Sequence, residues 1–428
     1  KNRKKFMAQM KSESLAVFNS NDVYPIGADS TMPFEQHRDI FYLSGVDQEE
    51  SVLLLFPDAL NVAHREILFV RETNEHIAVW EGAKLTKEQA TEVSGIATVY
   101  WTHEFEQVLF DLMSEASMIY LNTNEHYRQA VETQTREDRF IESVKLKYPA
   151  HLTAKSFPIL NDIRGVKEQE EIQLIHQACS ITEKGFRRIL KFVEPEVWEF
   201  EIEAEFIEFC MKNQCKQAYP AIVASGKNAC ILHYTKNSST LNPDTLLLVD
   251  AAAEYNNYAS DITRTIPVSG KFTEHQKLIY ELVLKSQQKA IEACKPGKTL
   301  VDIHNVAVKN ITKGLIKLKI LKGSLDKNIK EGKYKKYFMH NTGHWLGLDV
   351  HDPSSYAYDG EPIKLKPGMV FTVEPGIYIS NDSDLERGFH NIGVRIEDDI
   401  VITRNGCEVL SKDVPKSVME IEKLMSHA

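Results

Sequence analysis

The chain has 428 residues, 61 acidic against 51 basic side chains, a net charge of −10, 43% hydrophobic residues and a pI near 5.9. An acidic balance argues against a nucleic-acid binder, which shows a basic stripe, and a chain of this length predicts two domains rather than one. No apolar run approaches the roughly 18 residues that span a bilayer, and the start lacks the apolar core of a signal peptide.

A cytoplasmic protein with no membrane and no nucleic-acid partner is therefore expected, although Lys1 in place of a methionine leaves a removed leader open. Lysine runs at 1–5 and 330–336 read as solvated surface. The six cysteines, Cys179, Cys210, Cys215, Cys230, Cys294 and Cys407, have no CxxC spacing and read as reduced thiols.

In the first third, short apolar runs at 14–19, 51–56, 66–70 and 117–122 predict strands separated by helices and turns, a mixed α/β domain. The texture changes near 155–170, where a helix opens that carries Ile172, Ile175, Cys179, Phe186 and Ile189 at helical spacing. A domain boundary is expected there, giving domains 1–160 and 161–428. Further helices are predicted at about 197–213, 274–294 and 300–318, and strands at 245–252, 262–268, 369–379 and 394–403. The second domain is thus α+β.

Asp250 and Asp261 flank a polar stretch with a turn around 255–257, so a hairpin should pair them or leave them on one face. Two adjacent desolvated carboxylates repel unless one is protonated or a cation lies between them. Glu374 lies in the apolar stretch VFTVEPG, and Glu397 shares a strand face with Arg395 in GVRIED. If these four acids converge with one histidine, two divalent cations make the group formally neutral. Oxygen-rich ligation with one imidazole suits Mn2+ first, ahead of Co2+, Fe2+ or Zn2+. Each acid alone reads more simply as a surface residue, and each histidine as an ordinary core or surface group. The order is what matters.

The chain order D…D…H…E…E, in the contexts LLLVDAAAEYNNYASDITRT, HWLGLDVHD, TVEPGIY and VRIED, resembles the pita-bread metallopeptidases, and the Xaa-Pro aminopeptidase (aminopeptidase P) family in particular. The resemblance implies a creatinase-like amino-terminal α/β domain followed by a pita-bread catalytic domain. It implies Asp250, Asp261, His344, Glu374 and Glu397 as ligands of two metals, with Asp261 and Glu397 bridging. Glu374 would also shuttle a proton, His351 and His233 would assist catalysis, and His340 and Arg395 would line or order the site. Trp80 and Asp29 match positions that in relatives shape a neighbouring subunit's site, which implies a dimer or tetramer. In the segment PFEQH, Glu35 stands where relatives often have arginine.

The implied substrates are peptides with proline second. A prolidase-type Xaa-Pro dipeptidase uses the same ligands and stays open at this point, as does a binding scaffold without catalysis.

Overall fold

In a computed structural model, which describes residues 1–126, 132–381 and 384–426, the chain divides between Ile163 and Arg164. The first unit is built on six strands: β1 (Ser14–Asn19), β2 (Val52–Leu55), β3 (Glu66–Val70), β4 (Thr98–Trp101), β5 (Met118–Leu121) and β6 (Leu152–Lys155). They lie in the order β4-β3-β2-β1-β5-β6. The pairs β1–β2 and β2–β3 are antiparallel, and the other three are parallel.

Every residue of β1 is buried. Leu15 and Val17 share one face with Phe105, Leu109 and Leu112 of the helix Phe105–Met113, while Phe18 meets Phe6 of the helix Asn2–Met7 at 5.2 Å between ring centroids. A strand covered on both faces has no use for polar alternation, which is why SLAVFN reads as a nearly continuous apolar run.

The second unit, from Arg164 onward, carries the long helices Gln169–Phe192, Glu199–Lys212, Glu274–Glu292 and Leu300–Lys317. Its strands are short: β7 (Lys216–Gln217), β8 (Ile222–Ser225), β9 (Leu246–Asp250), β10 (Ala253–Tyr255), β11 (Tyr258–Ala259), β12 (Thr263–Pro267), β13 (Ala357–Tyr358), β14 (Glu361–Pro362), β15 (Val370–Val373), β16 (Gly376–Ile379), β17 (Ile392–Arg395), β18 (Asp398–Ile402) and β19 (Cys407–Val409). They form sheets β11-β10-β7, β12-β9-β8, β15-β18-β19, β16-β17 and β13-β14.

Two expected strands are each broken. The stretch 369–379 splits into β15 and β16, and 394–403 into β17 and β18, with Val373 opposite Asp398 on one side of the break and Gly376 opposite Arg395 on the other. Pro375 has no N–H for a ladder, so both strands pass from one sheet to the next at the same level. Glu374 and Glu397 sit in that joint.

The hairpin that carries the aspartates is also longer and shifted. Its turn is Asn256–Asn257, both with positive φ (47° and 67°), the backbone that a tight two-residue hairpin turn requires. The register therefore places Asp250 opposite Thr263, not Asp261. A shift of two residues leaves both aspartates on one face.

Candidate metal centre

Asp250 ends β9, Asp261 precedes β12, and the hydroxyl of Tyr219 donates toward both, at 2.7 Å to Asp250 Oδ1 and 2.6 Å to Asp261 Oδ1. The Asp261 backbone is held in turn, because its N–H donates to Asp399 Oδ2 at 3.0 Å. At the joint between sheets, the Glu397 N–H donates to Thr263 O at 3.1 Å and its Oε2 accepts from Thr263 Oγ1 at 2.6 Å. The Glu374 N–H donates to Thr342 O at 2.8 Å. Each acid is thus fixed through its backbone before its side chain does anything.

His344 arrives on a segment laid antiparallel beside β15: Trp345 bridges Phe371, and Thr372 N donates to His344 O at 2.9 Å. Gly343 permits the approach, since a Cβ there would lie 1.9 Å from Thr372 O. The imidazole Nδ1 sits 3.0 Å from Trp345 O, and a carbonyl can only accept, so Nδ1 carries a hydrogen. Nε2 then faces Asp261 Oδ2 at 3.2 Å and Glu374 Oε1 at 3.9 Å. Asp261, His344 and Glu397 each offer a ligand atom, all within 4.8 Å of one another.

The electrostatics show what the group lacks. Burial raises the Glu374 carboxyl to about 7, even though the charges of His344 and Arg395 pull it down by more than those of Asp261 and Asp250 push it up. Burial and the charges of Asp261, Glu374 and Asp250 hold Glu397 well above the carboxylate range, and burial likewise raises Asp250. Burial works against a charged His344, yet its hydrogen bond to Asp261 and the charges of Asp261 and Glu374 lift it to about 9. A proton on Nε2 is here doing the job of a cation.

Arg395 alters the expected charge count. Its Nη2 donates to Asp250 Oδ2 at 2.5 Å, its Nε to Thr263 Oγ1 at 3.1 Å and its Nη1 to the Tyr378 hydroxyl at 3.0 Å. Four carboxylates against one guanidinium leave three negative charges, so two divalent ions give one net positive charge rather than the neutrality expected from the acids alone. A buried donor set of carboxylate oxygens and one imidazole, short of positive charge, fits divalent metal.

The other expected residues fall as follows. His340 Nε2 lies 2.9 Å from the Tyr378 hydroxyl, and Nδ1 lies 2.7 Å from Asn341 O and 3.6 Å from Glu374 Oε2. Burial, with help from Arg395, pushes this imidazole down to about 3, so it is neutral and donates from Nδ1. The His351 ring stands nearly perpendicular to that of His344, with centroids 4.2 Å apart. His233 is exposed and near enough to His340 for their charges to interact. Trp80 and Asp29 belong to the first unit, where Trp80 is 77% exposed on the helix Glu75–Glu81, against a role in packing within this chain, and Asp29 lies in an exposed loop closed by a Pro25–Thr31 bridge.

Four residues escape the sequence reading. Tyr219, Thr263 and Tyr378 are neutral groups with no motif of their own, yet they join the acids to one another and to Arg395. Glu199 is fully buried and orders the loop that carries His233: Oε1 accepts from Ser225 N, Ser225 Oγ and Asn228 Nδ2, and Oε2 from Tyr234 OH and Ser239 N, all within 2.8–3.0 Å. Its one sequence signal is an acid among the apolar residues of an amphipathic helix start.

Comparison with known proteins agrees with this geometry. The model of metallopeptidase family M24 matches residues 173–404, and that of the aminopeptidase P N-terminal domain matches residues 1–120. The chain is 38% identical to the Xaa-Pro aminopeptidase of Haemophilus influenzae over 99% of this chain and 96% of that protein, and 36% identical to that of Escherichia coli with the same coverage. It superposes on Pseudomonas aeruginosa aminopeptidase PepP with a TM-score of 0.92 at 35% identity, covering 99% of this chain and 96% of the other. For E. coli aminopeptidase P with the inhibitor Pro-Leu the TM-score is 0.91 at 35% identity, with the same coverage.

Proposed function

The chain belongs to metallopeptidase family M24, and from that premise we propose that it is an Xaa-Pro aminopeptidase, hydrolysing the first peptide bond of substrates with proline second. Relatives of that name align over nearly the full length of both partners, and this favours the reading over a dipeptidase. The observation that carries catalysis over a mere scaffold is the buried carboxylate group with its deficit of positive charge.

Asp250, Asp261, His344, Glu374 and Glu397 would hold two divalent ions, Mn2+ by the oxygen-rich donor set. When bound, such ions polarise a carbonyl and acidify water. The protein's own groups do the rest. Glu374, which faces His344 Nε2 at 3.9 Å and His340 Nδ1 at 3.6 Å, takes a proton from the attacking water and returns it to the leaving amine. His351, beside His344, donates to the oxygen on which charge develops, and His233 meets the substrate from its loop. His340, held neutral, donates from Nδ1 to Asn341 O and accepts from the Tyr378 hydroxyl at Nε2, which fixes its ring beside Glu374, and Arg395 fixes Asp250. Trp80 and Asp29 complete the site of a neighbouring copy in a dimer or tetramer that works in the cytoplasm.

The test is side-by-side hydrolysis of Xaa-Pro-Yaa and Xaa-Pro peptides by chelated protein before and after adding Mn2+. Mn2+-restored cleavage of the tripeptide, well above that of the dipeptide, is expected. Equal turnover of metal-free protein, or preference for the dipeptide, overturns the reading.

A further inference from the structure

The loop from His344 to Asp352 is closed from inside by an ionic group that the chemistry above does not use. Asp352 is 2% exposed. Its Oδ1 accepts from Arg164 Nη2 at 2.6 Å and from Asp349 N at 3.1 Å, and its Oδ2 accepts from Lys167 Nζ at 2.9 Å. Arg164 Nη2 also reaches Asp349 Oδ2 at 2.7 Å. The Asp352 N–H returns to Trp345 O at 3.1 Å, and a Cβ on Gly347 would lie 2.8 Å from the Asp352 carboxyl carbon. The carboxylate therefore sits inside the loop, bonded to Asp349 N and packed against Gly347.

Two ends of this loop matter to the reaction. Trp345 O receives the Asp352 N–H while accepting from His344 Nδ1, and His351 directly precedes Asp352. Burial works against the ionised Asp352, but Arg164 and Lys167 keep its carboxyl below the usual range, so the clamp is charged throughout the working pH.

We propose that Asp352, clamped by Arg164 and Lys167, is a positioning residue for His351, fixing its imidazole at the edge of the metal centre. The inference rests on the role given above to His351. A side chain that must meet developing charge gains from a backbone with no freedom to drift, and three separate bonds to Asp352 remove that freedom.

Asp352→Asn alone would strand Lys167 in the interior, so the informative variant is Lys167→Met/Asp352→Asn, which keeps the net charge and leaves Arg164 its partner Asp349. It should retain the parent's metal content by elemental analysis and lose kcat by about 10- to 100-fold, the usual size for a supporting partner, with KM nearly unchanged. In a His351→Ala background the same pair of changes should cost almost nothing further, because the effect runs through His351. Arg164→Lys, which keeps the charge on a shorter side chain whose nitrogen falls short of the place of Nη2, should show the same signature at smaller size, and decides the matter if the double variant does not fold.

Parent-like kcat, an undiminished loss in the His351→Ala background, or loss of metal overturns the inference. If His351→Ala alone turns over normally, the role of His351 fails and the inference falls with it. If His351→Ala is crippled and the clamp variants are not, only the inference fails.

Discussion

Glu397 and Asp398 are chain neighbours, 2% and 0% exposed, yet they are shifted in opposite directions. Desolvation opposes charge on both. Asp398 accepts from Arg264 Nη2 at 2.8 Å, Lys416 Nζ at 2.5 Å, Gln287 Nε2 at 2.6 Å and Ser411 Oγ at 2.7 Å, and the two cations among these carry it down to about 2 in spite of burial. Glu397 looks the other way, toward Asp261, Glu374 and Asp250, and is held well above its ordinary value. The lesson is one of company rather than depth. Where this fold needs a permanent ion it supplies the counter-charges, and where it withholds them the missing charge comes from solution.

The sharpest way to break that contrast is to remove an acid on the unsatisfied side. Glu397→Gln should cost at least about 10³-fold in kcat/KM, beyond the 10²–10³ of a single lost transition-state donor, together with metal seen by elemental analysis. Its thermal stability without metal should rise or hold, since glutamine is neutral there without having to take up a proton. A variant that keeps two tight metals and full turnover would refute the assignment.

Removing a cation on the satisfied side should do the reverse. Arg264 is 1% exposed and also donates to Pro415 O, Thr263 O, Glu397 O and Val414 O. Arg264→Met should lower folding stability by about 3–5 kcal/mol, the usual cost of breaking a buried pair from one side. Urea unfolding measures this, and a loss under about 1 kcal/mol would mean that Asp398 is solvated after all.

The smallest effect is in the pH dependence, where the two regions should have opposite slopes. Between about pH 4.5 and 7 folded metal-free protein keeps a proton on Glu374 that the unfolded chain releases, so stability falls as pH rises. His344 adds to this fall: its contribution is complete below pH 6.5 and is lost as pH climbs through about 9. Asp398 contributes fully above its unfolded value of 3.8 and loses that contribution as pH drops through about 2. Urea midpoints against pH should show a falling limb above pH 5 that vanishes when metal is bound. Identical profiles with and without metal would contradict it.

Much of the centre was legible in the sequence because acids in apolar strands conflict with their surroundings, and such conflicts mark function. Glu374 announced itself in this way, Asp250 and Asp261 did so by flanking a hairpin turn and Glu397 by sharing a strand face with Arg395, and the helices at 199–212, 274–292 and 300–317 followed from periodicity. The register did not. A hairpin turn at Asn256–Asn257 instead of one residue earlier moves every partner by two, and only long-range packing decides between them. The breaks at Glu374–Pro375 and Ile396–Glu397 were hidden because apolar residues continue on both sides, and hydropathy does not say which sheet a strand joins. Tyr219 and Thr263 carried no signal, since a single hydroxyl acquires meaning only from what it faces.

The joint between the sheets also bears on how the protein is made. Asp261, His344 and Glu397, the three whose ligand atoms converge, come from widely spaced stretches of chain, and the last of them lies just past the break between β17 and β18. A growing polypeptide has no complete nest for an ion until residue 397 has emerged and been seated against Thr263. Domains fold as units behind the ribosome, the amino-terminal one first, so the first unit can be finished while the second is still unable to capture metal. With the ligand set proposed above, loading with metal would certify completed synthesis, and a chain cut short before the joint would stay inactive.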